Sequence, residues 1–494
     1  MKVIRRRALF NQHRSSNLYR MFGLVILIFV AAWFTWRLKT GIIHNPFEPT
    51  PTATRTINSL IQEGEAQFQA GNLDLAIAAY QQATASNSAD PQGWNELSRI
   101  QAYSSSLLSN DTDRLARLTE AIQSANQAVA VAPGDSNAYA IRAFVEDWNA
   151  DPALDPLRTD NKKAADFIFA AQKDAVQSLS LNSQNPLGLA YYAEILIDQQ
   201  KWDQAALYIK PAAQLGPQVM DVHSVYGYYL ESTANYNEAI AEYQKALVID
   251  PNLTFLYLSI GNNYRTLAFQ STLTSQQSDL YNSARANYAK AIAIDDQLKL
   301  KNPSPYIAIA KTYAQQGQFF AAALNAQEAI AIDPTNADLY GQLGDIYKRG
   351  RNFETSIIAL RCAVEGCDAL ASCQAVLAGS SCVGVEVKPL VLNPNSAVYY
   401  LDLGSVLSAF APNKPEYCPE VVNVLTQIEK QYPTNTIIIR NSDVGLQICS
   451  EVTAALTQTP ATTITPGATL LPSSTPTAPF MPTPTLVPNY TPLP

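Results

Sequence analysis

Charge is what this chain has least of. Asp, Glu, Lys and Arg make up 15% of its 494 residues, against roughly 25% in an average soluble protein, so solubility must rest on Gln, Asn, Ser, Thr and Tyr. Histidine is scarcer still: His13, His44 and His223 are the only three. The first two flank an apolar run, and His223 sits at a repeat position where a packed helix residue is expected. No G-x-S-x-G, H-E-x-x-H, P-loop or dinucleotide glycine pattern occurs, so no constellation for an enzyme, metal site or cofactor stands out. Cysteine is absent before Cys362, which excludes lipid attachment near the N-terminus. Alternation of Val, Ile and Tyr is nearly missing from 57 to 457, which argues against a β-rich body. What the chain does have is 47% hydrophobic residues, too many for a wholly disordered or collagen-like polymer.

The net charge of −8 conceals an asymmetry. Lys2, Arg5, Arg6, Arg7, Arg14 and Arg20 take six of the 34 bases and none of the 42 acids, so the rest carries 28 bases against 42 acids, or −14. A body this acidic repels phosphate backbones, and nucleic acid is not an expected partner. The basic block reads instead as a topology signal. It precedes Met21–Trp36, sixteen uncharged residues that Leu38, Gly41, Ile42 and Ile43 extend. A transmembrane helix over 21–43 follows, with Trp33 and Trp36 in the interfacial belt and Arg37 and Lys39 reaching the headgroups. The charge bias puts residues 1–20 in the cytoplasm and everything after 43 outside. The competing reading is a cleaved signal peptide at Val30-Ala31-Ala32, but that tripeptide lies inside the apolar run.

Low-complexity segments flank the body. Residues 44–56 form a Pro/Thr linker. From 458 onward the composition is again Pro/Thr-rich, with ten Pro and ten Thr in the 36 residues after Gln458. Such a tail cannot build a core and is expected to be disordered, as a solvated tail or a glycosylated or wall-threading stalk.

Between the two lies a repeat. Tyr226-Gly227, followed by Ala239, Tyr243, Ala246 and Pro251, returns 34 residues later as Ile260-Gly261. The frame reappears with Ala310, Tyr313, Gly317, Ala322, Ala326, Ala329 and Pro334, and with Leu343-Gly344, Tyr347, Ser356, Leu360 and Ala363. Small residues let two helices approach, large rings fill the gaps to the next hairpin, and Asp-Pro pairs stop the second helix. The pattern resembles the tetratricopeptide repeat, a helix-turn-helix unit of this period. Extended over the chain it gives about nine units, which implies an all-α, right-handed superhelical solenoid over 57–366, continued in 367–457 by a Cys-rich insertion, a degenerate unit and a capping helix. Units two and six carry about 11 extra residues between their helices, enough for both helices to lengthen, and unit three about 16, around a Pro/Asp loop near 150–160.

All six cysteines, Cys362, Cys367, Cys373, Cys382, Cys418 and Cys449, fall on the side placed outside the cytoplasm. An even set there reads as three disulfides, with fifteen pairings open. Metal-ligand spacing is lacking.

In the resembled family the first helix of each unit lines a concave groove. Its inward positions here are Asn95/Arg99, Ala140/Phe144, Ala190/Glu194, Ser224/Tyr228, Leu258/Asn262, Ile307/Lys311 and Gly341/Asp345. The resemblance therefore implies partner contacts through Asn95, Arg99, Phe144, Glu194, Tyr228, Asn262, Lys311 and Asp345, with Phe144 and Tyr228 as aromatic anchors and Arg99 and Lys311 as charge anchors. The family's carboxylate clamp of Lys and Asn in adjacent units is not reproduced. The expected function is a non-enzymatic, membrane-anchored, extracytoplasmic scaffold for a protein or peptide. The alternative is an enzyme accessory or a catalytic cell-envelope-modifying protein with active groups in the insertions.

Overall fold

The structure, a computed structural model, describes residues 17–39, 57–376 and 383–458. Residues 1–16, the 44–56 linker, Cys382 and the Pro/Thr tail lie outside them. The chain divides into two units, Met1–Thr56 and Ile57–Pro494.

The first unit contributes helix α1, Leu18–Lys39. It begins one turn before the expected Met21, because Leu18 and Tyr19 are themselves compatible with helix. Every side chain from Leu18 to Trp36 is exposed, and the helix is long and apolar enough to cross a membrane.

The second unit is all helical; among the described residues it holds no strand, only an isolated bridge between Cys367 and Val387. Among the described residues nine hairpins follow one another: α2 Ile57–Gln69 with α3 Leu73–Ser86, α4 Pro91–Ser105 with α5 Asp111–Val131, α6 Ser136–Trp148 with α7 Ala164–Leu181. Then come α8 Pro186–Asp198 with α9 Trp202–Leu215, α10 Met220–Ser232 with α11 Tyr236–Ile249, and α12 Thr254–Gln270 with α13 Thr274–Leu298. The last regular pairs are α14 Ser304–Gln315 with α15 Phe319–Ile332 and α16 Ala337–Arg349 with α17 Phe353–Val364. After the short α18, Ala369–Ala375, the ninth pair is α19 Ala397–Phe410 with α20 Cys418–Gln431, closed by α21 Thr436–Gln458.

Local chemistry sets these boundaries. Side chains of Asp90, Asp135, Asn185 and Asn336 accept backbone N–H bonds at the starts of α4, α6, α8 and α16, which satisfies donors the helix cannot. In units one, five and six the glycine of the first helix lies under a tyrosine ring of the second, and in units eight and nine under a leucine: a Cβ on Gly227 would stand 2.7 Å from the Tyr243 ring. The Tyr243 ring thus packs into its own hairpin, its hydroxyl donating to Glu231 of α10 at 3.1 Å, and it also lines a small space beside Phe255 and Ser259 of the next hairpin.

The insertions are absorbed unevenly. In unit six both helices lengthen, to 17 and 25 residues against 13 and 14 in unit five. In unit two only α5 does so clearly, at 21 residues, and the remainder forms the loop before Asp111. Unit three carries the irregular excursion, a 3-10 turn at Pro152–Leu157 that buries Ala153 and Leu154.

The solenoid winds far enough to meet itself. Asn252 donates to the Gln69 carbonyl at 3.2 Å, which joins units one and five. Asn336 donates to the Ser109 carbonyl at 2.8 Å, Ser109 donates to Asp333, and Asn393 donates to Asp111 at 3.0 Å. The loop left over in unit two is the part that reaches units eight and nine. Among the described residues, Cys362–Cys367 and Cys418–Cys449 staple the C-terminal end, with Cα separations of 4.7 and 5.2 Å. Cys373 is disulfide-bonded as well.

Candidate functional site: the axial face

The first helices of the hairpins turn one face toward the superhelix axis, and a helix repeats a face about every 3.6 residues. In units two to five that face is occupied by the protein itself. Asp221 of α10 accepts from Arg99 at 3.0 and 3.2 Å, from the Tyr103 hydroxyl at 2.7 Å and from the Tyr191 hydroxyl at 2.6 Å. Burial alone would raise the Asp221 pKa, but Arg99 and the two hydroxyl bonds outweigh it and hold it below the usual value. Around this group Tyr103 stacks on Phe255 at 5.3 Å and Phe144 on Tyr191 at 4.5 Å. The space left between Tyr103, Phe144, Trp148, Glu194, Tyr228 and Phe255 is about 20 Å³, room for a water but not for a peptide.

Next to it lie three carboxylates with no cation against them. Trp148 donates to Glu194 at 3.0 Å and Tyr228 to Asp198 at 2.7 Å, while neither oxygen of Asp147 has a donor. Burial first, and the neighbouring acids second, push Glu194 up to about 8 and raise Asp147 strongly. Asp198 is raised to about 6, chiefly by burial, against the Tyr228 bond. Protonated, Asp147 can donate to Asp198, which accounts for its lack of any other donor.

Units six to eight differ. Asn262 is half-buried and accepts from the Tyr288 hydroxyl at 3.0 Å. Asp345 stands 3.7 Å from Arg349, with both side chains substantially exposed. Lys311 is solvent-exposed yet walled by protein. That partial desolvation, then Arg265, lower its pKa, while Asp338 and Asp345 pull the other way.

The expected contact residues thus fall into two groups. Asn95, Arg99, Phe144 and Glu194 lie on the first helices as expected but are at most 8% exposed, so they are not offered to a partner. The correction is sharpest for Phe144, which packs among rings, and for Arg99, whose charge is spent on Asp221 and Glu96. Tyr228 is half-buried against Asp198. Asn262, Lys311 and Asp345 remain reachable. The sequence reading overlooked Tyr103, Asp147, Trp148, Asp198, Glu231 and Arg265. All lie one helical turn beyond the inward pair of their unit, and continuing the face by that turn would have found them. Among the described residues no group of three or more His, Cys, Asp or Glu has the arrangement to hold a metal ion.

The sequence matches the family model described as tetratricopeptide repeat over residues 61–103 and 193–253. Among solved structures, the human IFIT1 dimer with PPP-AAAA is 14% identical, covering 81% of this chain and 92% of that one, with a TM-score of 0.50. The human IFIT1 dimer with m7Gppp-AAAA is 15% identical, covering 82% and 92%, also with a TM-score of 0.50. A thermophilic TPR protein of Thermus thermophilus is 17% identical and covers 42% of this chain and 98% of its own, with a TM-score of 0.33. No curated protein matches the sequence. At these identities the likeness concerns the fold alone.

Proposed function

We propose that this tetratricopeptide-repeat protein is a membrane-anchored, extracytoplasmic scaffold that holds a protein or peptide partner against the axial face of units six to eight. The observation that carries the reading is the contrast along that face: units two to five fill it with their own side chains, whereas Asn262, Lys311 and Asp345 stay within reach. An extended segment or a helix laid along a solenoid meets such a mixture of polar and charged groups.

Anchoring is supported by α1, whose apolar side chains are exposed all round, an arrangement that suits lipid and not water. Five positive charges before it and Arg20 in its first turn favour a cytoplasmic N-terminus, and the disulfides fit an oxidising compartment. The IFIT1 structures carry PPP-AAAA and m7Gppp-AAAA; here Asp338 and Asp345 stand near Lys311 on a body with 28 bases against 42 acids, which disfavours a run of phosphates. A catalytic role in the insertions is disfavoured because longer helices, a 3-10 turn and a contact loop take them up.

The test places a photo-cross-linking residue at 262 or 311 of the full-length protein in intact cells, with Val444 on α21 as the control position. A discrete protein adduct from 262 and 311, lost in Asp345→Lys and absent from 444, is expected. An adduct with nucleic acid, no adduct at all, or turnover of a glycan or peptide by the purified chain would sink the reading.

A further inference from the structure

A second surface uses none of the axial residues. Between α9 and α11, the second helices of units four and five, a cleft of about 640 Å³ opens above α10. Four charged groups line it: Lys210 from α9, His223 from α10, and Glu242 and Lys245 from α11. The His223 ring has acceptors on both nitrogens, Glu242 at 2.7 Å from Nδ1 and the Pro217 carbonyl at 3.1 Å from Nε2. Two acceptors require two N–H donors, so the bound geometry is that of an imidazolium. Lys245 donates to the other oxygen of Glu242 at 2.6 Å. The one carboxylate is therefore engaged by two cations, and Lys210, which is exposed, forms no ion pair among the described residues. The lining carries a surplus of two positive charges on a body whose overall balance is strongly acidic. The rest is apolar or aromatic: Val248 is 84% exposed, and Tyr226 and Ile249 lie beside it.

We infer that this cleft is a docking site for an acidic peptide segment that alternates carboxylates with apolar side chains. Charge complementarity selects the sign of the occupant, with Lys210 and Lys245 taking its carboxylates while Val248, Ile249 and Tyr226 take its apolar groups. Three cations, one of them neutralised, and a single ring are too little for a nucleic-acid strand, which needs a run of phosphate contacts and successive stacking faces. His223, buried and held by Glu242, is a positioning residue: it fixes Glu242 so that this acid does not face the occupant alone.

The experiment uses the full-length protein in nanodiscs and fluorescence anisotropy with three labelled probes: an octapeptide alternating Asp and Leu, its Asn/Leu counterpart, and a dodecameric oligothymidylate. The Asp/Leu peptide is expected to bind preferentially. Lys210→Gln with Lys245→Gln, both exposed positions, should weaken it about tenfold, as should Val248→Asp. Lys430→Gln on α20 and Asp345→Lys on the axial face should leave it unchanged, which separates this site from the axial one. No binding of the Asp/Leu peptide, equal binding of the Asn/Leu peptide, preference for the oligonucleotide, or an unchanged affinity in the double variant would each overturn the proposal.

Discussion

Phe144 shows what a repeat frame can and cannot say about a residue. Its inward direction was implied by the resemblance to the repeat family, but its neighbours were not, because a repeat frame carries no information about how tightly the superhelix winds. Arg99 and Asp221 are 122 positions apart, and nothing local to either one marks the other. The consequence is energetic. Phe144 is 1% exposed and flanked by Tyr103, Trp148 and Tyr191, so Phe144→Ala should lower stability by about 3–5 kcal/mol through the cavity it leaves. Chemical denaturation measures this, and a loss under about 1 kcal/mol would mean that the ring faces solvent. Asp221→Ala should cost a similar ~3–5 kcal/mol, since it leaves the Arg99 guanidinium buried without its counter-ion. Asp221→Asn, which keeps acceptor capacity, should cost less, and equal losses in the two variants would exclude the ion pair as the cause.

At the scale of elements the sequence was read more fully, because helices are local. Alanines, with glycine or ring positions in some units, marked the hairpins, and two Asp-Pro pairs, at 250–251 and 333–334, marked helix stops. The division of the unit-two insertion was not readable: the share that became a loop is held by Asp333, Asn336 and Asn393, partners more than 200 positions away. Two predictions belong here. Gly227→Ala would drive a methyl against the buried Tyr243 ring, so unfolding measurements should show about 1–3 kcal/mol of destabilisation from overpacking, whereas an ordinary exposed helix would gain from the same change. Replacing Cys418 and Cys449 together opens a loop with a separation of 31 residues, worth roughly 3–4 kcal/mol in the chain-entropy model. Hydrogen exchange should show the loss concentrated in α20 and α21. Uniform loss across all nine hairpins would mean that the solenoid unfolds as a single block rather than unit by unit.

For the whole molecule, burial takes many carboxylates out of water at once, which makes stability depend on pH in an unusual direction. Burial raises Glu194 and Glu146 to about 8, Asp295 to about 7, and Asp198 and Asp250 to about 6. Unfolded, these groups titrate near 4. A folded pKa above the unfolded one means that the native state binds more protons between the two values, so the associated stability is complete below about pH 4 and is lost as pH rises through 6 to 8. His223, raised first by its bond to Glu242, works in the same sense. Asp221 and Glu242 are lowered instead, so their contribution holds above the ordinary carboxylate range and disappears as pH falls through their depressed values. The two trends leave a maximum of stability on the acid side of neutrality. The melting temperature should therefore be higher at pH 5.5 than at pH 8.5, and Glu194→Gln should flatten that slope by removing one of the titrating groups while keeping the acceptor for Trp148. A melting temperature that is level or rises between those two values, or a Glu194→Gln slope identical to that of the native chain, would mean that water reaches these carboxylates.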